Sequence, residues 1–143
     1  MSKTLLATPE DAEQAFYEAF NRGDLDALMS VWSEDDDPVC IHPGGSRFTG
    51  LAAIRESWKQ LFETGMKFRV RTSNVVRAQS ALLAVHSLLQ HVHVEGDDTL
   101  APPLITTNVY VRGASGWQLM MHHTSPSPDA SGLLTQESPR VVH

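Results

Sequence analysis

Apolar residues along this chain follow two different periods, and the change between them divides it. Over the first sixty or so residues the spacing is helical. Ala12, Ala15, Phe16, Ala19 and Phe20 share one face, behind a start signal at Thr8-Pro9-Glu10-Asp11. Gly23 ends that helix, and Asp24 caps a second that presents Leu25, Leu28, Met29 and Trp32. The run Glu34-Asp35-Asp36-Asp37-Pro38 breaks the pattern, since a proline disfavours helix just before it. Val39-Cys40-Ile41 then reads as a short strand, Gly44-Gly45 as a turn and Arg47-Phe48-Thr49 as the return. Gly50 opens a third helix with Leu51, Ile54, Trp58, Leu61 and Phe62 on its apolar face. Helices are predicted over 9–21, 25–33 and 51–64.

Beyond Gly65 the period falls to two. Alternation predicts strands over 67–78, 81–94, 103–112 and 116–124, with turns at Gly96-Asp97-Asp98 and Gly113-Ala114-Ser115-Gly116. Helices followed by long strands predict an α+β fold with an antiparallel sheet. On the last strand strict alternation puts Trp117, Leu119, Met121 and His123 on one face, and Gln118, Met120 and His122 on the other. The first set is the more apolar and is expected to face the core. Val85, Leu89, Val109 and Val111 do not all fit one inner wall, which predicts a second cover over the sheet and hence a homodimer packed through its outer face. Residues 126–143 carry Pro126, Pro128, Gly132 and Pro139 without an apolar period and read as a tail behind a single domain, 1–125.

Composition narrows the function classes. A net charge of −6 argues against general affinity for nucleic acid, and no apolar run reaches the length of a membrane span. The first residues lack the apolar stretch of a secretory signal. The single cysteine, Cys40, excludes an internal disulfide and fits a reducing cytoplasm. Charge is uneven: residues 1–37 hold ten acids against Lys3 and Arg22, and residues 38–77 hold seven bases against Glu56 and Glu63. This predicts two oppositely charged solvated faces, or complementary patches across a subunit interface.

Several segments together resemble the nuclear transport factor 2-like superfamily, and within it the SnoaL-like group of small bacterial proteins related to ketosteroid isomerases and polyketide cyclases. They are Phe20-Asn21-Arg22-Gly23-Asp24, Trp32-Ser33-Glu34-Asp35, His42-Pro43-Gly44, Gly50 to Trp58, and Trp117 to Ser125. The resemblance covers roughly residues 8–125. It implies a cone-shaped (cystatin-like) α+β fold in which three helices pack on a curved antiparallel sheet around a mostly apolar pocket. It does not fix a reaction, because function lives in the site and not in the fold. A ketosteroid isomerase uses an aspartate base, with a tyrosine and a protonated aspartic acid as oxyanion donors. Aligned on the Gly-Asp and Pro-Gly landmarks, His42 stands at the base position, Phe16 at the tyrosine (with Tyr17 one place away) and Thr107 at the second acid. The oxyanion pair of that reaction is therefore lost or rebuilt here.

Two readings stay open. In one the chain binds a small apolar ligand without chemistry, or serves as an assembly module. In the other it is a cofactor-independent isomerase, dehydratase or cyclase: His42 abstracts a proton beside a carbonyl, and His123 or Thr107 hydrogen-bonds the enolate oxygen. Both place His42 in a pocket with Trp32, Trp58, Phe16, Tyr17 and Met121. The bland alternative for His42 is a histidine bonded to the turn backbone. His42 and His123, joined by His86, could ligate a metal ion, but they are scattered over separate strands without the spacing of a metal motif. Asp35-Asp36-Asp37 lacks the interleaving of a calcium loop and reads as a solvated turn. Cys40 reads as buried and inert.

Overall fold

A computed structural model describes residues 5–99 and 101–128. Residues 129–143, most of the expected tail, lie outside the described residues. The first helix, α1 (Pro9–Arg22), is capped by the Thr8 hydroxyl, which accepts from the Asp11 amide, and ends on Gly23 at φ 64°, a left-handed position that suits glycine. Asp24 caps α2 (Leu25–Ser30) through the Ala27 amide. This helix is shorter than the apolar spacing predicts. Val31 and Trp32 leave it to pair with the last strand: the Leu119 amide donates to the Val31 carbonyl, and the Ser33 amide to the Leu119 carbonyl. The third helix, α3 (Leu51–Glu63), buries Ile54 and Trp58.

The strands are β1 (Val39–Ile41), β2 (Arg47–Thr49), β3 (Phe68–Gln79), β4 (Leu83–Val94), β5 (Leu104–Gly113) and β6 (Gly116–Pro126), joined in one sheet in the order β2-β1-β6-β5-β4-β3. All neighbours are antiparallel except β1 and β6, which run parallel. The fold is the cone-shaped α+β arrangement, with the helices packed on the open sheet.

The core lies between α1, α3 and the inner face of the sheet. Phe16 is its hub, with edge contacts to Tyr17, Phe20, Trp32 and Trp58 at centroid separations of 5.1–6.4 Å. Asn21 closes the outer end of α1 onto β3: its amide donates to the Val70 carbonyl, and its oxygen accepts the Val70 amide. Part of the uneven charge is satisfied within the chain, by Arg55 on Asp26 at 2.7 Å and Arg77 on Glu10 at 3.3 Å. The aspartates at 35–37 are exposed, as expected of a solvated turn.

One departure from alternation changes the site. Val109 pairs with Met121, but the next residue, Tyr110, pairs with Leu119, so Met120 is an extra residue in β6. A bulge of this kind reverses which residues face inward beyond it. Trp117 and Leu119 face the core as expected, but past the bulge His122 and Thr124 are the buried residues. Met121 and His123 turn to the outer face; Thr107 pairs with His123 there, and His123 is exposed. The expectation that Met121, His123 and Thr107 face the pocket is thus corrected. Val85, Leu89, Val109 and Val111 share that outer face with them, paired in register across β4 and β5.

Candidate functional site

His42 is placed by the β1–β2 turn. Its amide donates to the Ser46 carbonyl and its carbonyl accepts from the Gly45 amide; Gly44 and Gly45 both take positive φ in between. The turn holds the imidazole against α3, where Nε2 lies 2.9 Å from the Ser57 Oγ. The Ser57 hydroxyl donates to the Ile54 carbonyl at 2.7 Å, so Nε2–H is the donor to Ser57 and Nδ1 remains the ring's acceptor. Edge contacts to Trp58 and Phe48, at 5.0 and 5.6 Å, fix the ring plane. The imidazole is half-buried, and burial lowers its pKa, leaving it neutral at pH 7.

This histidine lines a cavity of about 570 Å³ between α3, the β1–β2 turn and the inner ends of β4–β6. Phe20, Phe48, Trp58, Leu61, Phe68, Val92 and Leu104 supply apolar walls; His42, Ser57, Gln90, His122 and Thr124 supply polar ones. Among the described residues lining it, none is an Asp, Glu, Lys or Arg. A larger hollow of about 1210 Å³ adjoins it and shares Phe20, Phe68 and Val92, but its own walls are the exposed Lys67, Arg69, Arg71, His93 and Glu95. The smaller cavity is the candidate site because His42 and the inward-facing His122 both line it.

His122 takes the inward place that sequence alternation gives to His123. Its Nδ1 lies 2.6 Å from the Asn108 Oδ1 and its Nε2 3.0 Å from the Thr124 hydroxyl. Burial above all, with His42 and His123 as further influences, brings its pKa down to about 3, so the ring is neutral. Behind it the sheet and α1 share a buried polar network. Asn108 donates to the Tyr17 oxygen at 3.1 Å, and Tyr17 donates to the Gln90 Oε1 at 2.9 Å. Deeper still, one Glu13 oxygen accepts from Tyr110 at 2.7 Å and from His86 Nδ1 at 2.8 Å.

Of the residues expected at the site, His42 and Trp58 line the cavity. Phe16 and Trp32 are fully buried core behind it, and Tyr17 reaches it only indirectly, through Gln90 and through Asn108 to His122. Thr107, Met121 and His123 are on the opposite face of the sheet. Sequence reasoning does not single out Ser57, Gln90, Asn108 or Glu13. Glu13 leaves a visible trace, an acid in the apolar stripe of α1 with Phe16, Tyr17 and Phe20; the others depend on the bulge and on strand phase. Cys40 is buried, with its thiol pushed up to about 12 by burial, which leaves it inert as a nucleophile. Among the described residues no three His, Cys, Asp or Glu side chains are placed to hold a metal ion.

Known proteins share this architecture. A Thiobacillus denitrificans structure put forward as a calcium/calmodulin-dependent protein kinase type II association domain is 37% identical, with a TM-score of 0.80 over 86% of this chain and 98% of that one. A Streptomyces avermitilis structure put forward as a dehydratase of the NTF2-like family is 26% identical, with a TM-score of 0.74 over 81% of this chain and 91% of that one. The Arabidopsis thaliana F-box protein SKIP8 is 29% identical over 122 residues, 83% of this chain; the chain spans about half (47%) of that protein. The SnoaL-like domain family matches residues 10–130, from the second residue of α1 to just past the end of β6, and the chain belongs to that family.

Proposed function

We propose that this chain binds a small, uncharged and largely apolar molecule in the cavity beside His42. The observation that carries the reading is the lining: a cavity of about 570 Å³ with aromatic and aliphatic walls, a few inward polar groups and, among the described residues, no charged side chain. Its volume falls in the range of ligand pockets. A charged ligand would lose its hydration there with no counter-charge to replace it. The polar groups instead suit one or two hydroxyl or carbonyl functions. With Nδ1 as an open acceptor, His42 should take a ligand O–H. Replacing His42 with Ala is expected to weaken binding of 2-naphthol about five- to tenfold, the worth of one hydrogen bond, and to leave the fold intact. An amide-resolved NMR titration checks both. Unchanged affinity would remove His42 from the site.

A second reading, cofactor-independent proton transfer, is favoured by the neutral imidazole with its free Nδ1. In it His42 abstracts a proton next to a ligand carbonyl. Deuterium exchange into the methyl group of 2-acetylnaphthalene, faster with the protein than with His42→Ala, would support it. Exchange at equal rates would leave binding alone.

The outer sheet face supports the homodimer expected from the sequence. Val85, Val109 and Met121 form one cross-strand row and Leu89 and Ile105 another, and Val76 is 69% exposed beside them. The name given to the Thiobacillus protein, an association domain, points the same way. Light scattering should give twice the chain mass for the protein and the chain mass for Val109→Asp; a monomeric wild type at micromolar concentration would count against the dimer. No helix among the described residues is long and apolar enough to cross a membrane. With one buried cysteine and net negative charge, the reading places the protein in the cytoplasm, with neither nucleic acid nor membrane as partner.

A further inference from the structure

The buried network has a direction, and its source lies away from the cavity. The Glu13 carboxylate only accepts, so the Tyr110 hydroxyl hydrogen is committed to it. Asn108 Nδ2 donates to the Tyr17 oxygen at 3.1 Å, and the same amide bears on the Tyr110 phenol in the sense of an N–H, favouring negative charge on its oxygen. The Tyr110 oxygen has only acceptor capacity left, so the group that Asn108 turns to it is Nδ2–H. That fixes the amide: Oδ1 points to His122, whose Nδ1 carries the hydrogen, and the Thr124 hydroxyl donates to Nε2. The second branch is fixed too. Tyr17, accepting from Asn108, donates to the Gln90 Oε1.

Gln90 is 3% exposed and lines the cavity. Its oxygen accepts from Tyr17 at 2.9 Å, and the Thr106 hydroxyl lies 3.5 Å from it. Among the described residues its Nε2 has no hydrogen-bond partner, yet it is not among the polar atoms sealed from open space. A buried amide with both donors unused, held from its other end, is a built contact for something outside the chain.

Resting on the reading of the cavity as a small-molecule site, we propose that the Gln90 amide is its fixed hydrogen-bond donor. Glu13 sets that orientation through Tyr110, Asn108 and Tyr17. The site therefore selects uncharged ligands with an acceptor oxygen, such as a ketone or ester carbonyl. Gln90 contacts the ligand; Glu13 is a positioning residue that never touches it.

The test compares 2-acetylnaphthalene with 2-ethylnaphthalene, near-isosteric and differing in the carbonyl. In amide-resolved NMR spectra of the wild type, the ketone should shift the Gln90 side-chain N–H₂ pair and bind five- to tenfold more tightly than the hydrocarbon. In Gln90→Met the ratio should fall to about one. Equal affinities, or a preference that survives in Gln90→Met, would overturn the proposal while leaving the cavity a binding site. If neither compound moves the Trp58 indole resonance, the cavity reading fails and the proposal with it. Should Gln90→Met not fold, the wild-type amide shift still decides.

The polarity has its own signature, the protonation site of His122. Long-range nitrogen spectra should show Nδ1 protonated. An Nε2–H ring would mean that Asn108 is reversed and that Gln90 shows the cavity its carbonyl, contrary to the proposal. In Glu13→Gln the Tyr110 hydrogen is no longer tied to an anion. The ketone preference should fall at least threefold and the His122 tautomer become mixed. An unchanged preference with an unchanged tautomer would exclude Glu13 from the role.

Discussion

Acidification below pH 6.5 should strip stability from this protein well before its carboxylates titrate. His122 is fully buried and its folded pKa is lowered to about 3, while an unfolded histidine titrates near 6.5. Between those values the unfolded chain holds one more proton than the folded one, so stability falls as pH falls. The slope is about 1.4 kcal/mol per pH unit, and the loss between pH 6.5 and 3 is on the order of 4–5 kcal/mol. His42, also lowered, adds in the same direction. Against a domain stability of about 5–15 kcal/mol this is a large share. Urea unfolding at pH 7 and pH 5 should show about 2 kcal/mol of loss in the wild type, from that slope over the titrating range. His122→Asn, less stable at pH 7, should show a shallower dependence. Parallel pH dependences would mean that His122 is not sealed in its neutral form.

Glu13→Ala should be the most damaging single change outside the aromatic core. It removes the shared acceptor of Tyr110 and His86, two fully buried groups. Both would lose their hydrogen-bond partner away from water, which costs about 3 kcal/mol or more. The nearby Glu10 offers little in exchange: its oxygen is 3.6 Å from His86 Nε2 and already engaged by Arg77. A melting temperature roughly 10 °C below wild type follows for a domain of this size. Calorimetry on Glu13→Ala and Glu13→Gln checks it. The glutamine keeps the shape and one acceptor and should lose less. If alanine costs under about 1 kcal/mol, well below the usual penalty of an unpaired buried group, the network does not hold α1 to the sheet as described.

The helices and strands were legible in the sequence because each carries its own start, stop and period. Thr8-Pro9, Gly23-Asp24 and Gly50 bound the helices, and alternation marks the four long strands. His42 was legible as a pocket residue because turn chemistry pins it. The rest of the site was not, for one local reason: a single extra residue, Met120, exchanges His123 for His122 and Met121 for Thr124 on the inner face. Nothing in Leu119-Met120-Met121 marks a bulge; its signature is the register against Tyr110. A second irregularity at Ser73–Val76, where Asn74 takes φ 53°, was equally silent. The polar network was hidden for a different reason. Gln90, Asn108 and Thr124 sit on three strands and meet only when these pair in register.

The uncharged character of the cavity is the claim on which the functional reading stands, and one comparison tests it most directly. 2-Acetylnaphthalene and 2-naphthoate have nearly the same shape and differ by a negative charge at pH 7. Titrated separately against the wild-type protein by amide-resolved NMR, the ketone should perturb Trp58, Gln90 and the other residues lining the cavity. The carboxylate should bind there at least tenfold more weakly, because burial strips its hydration where the described lining holds no cation. A carboxylate that enters the same cavity as tightly as the ketone would contradict the reading.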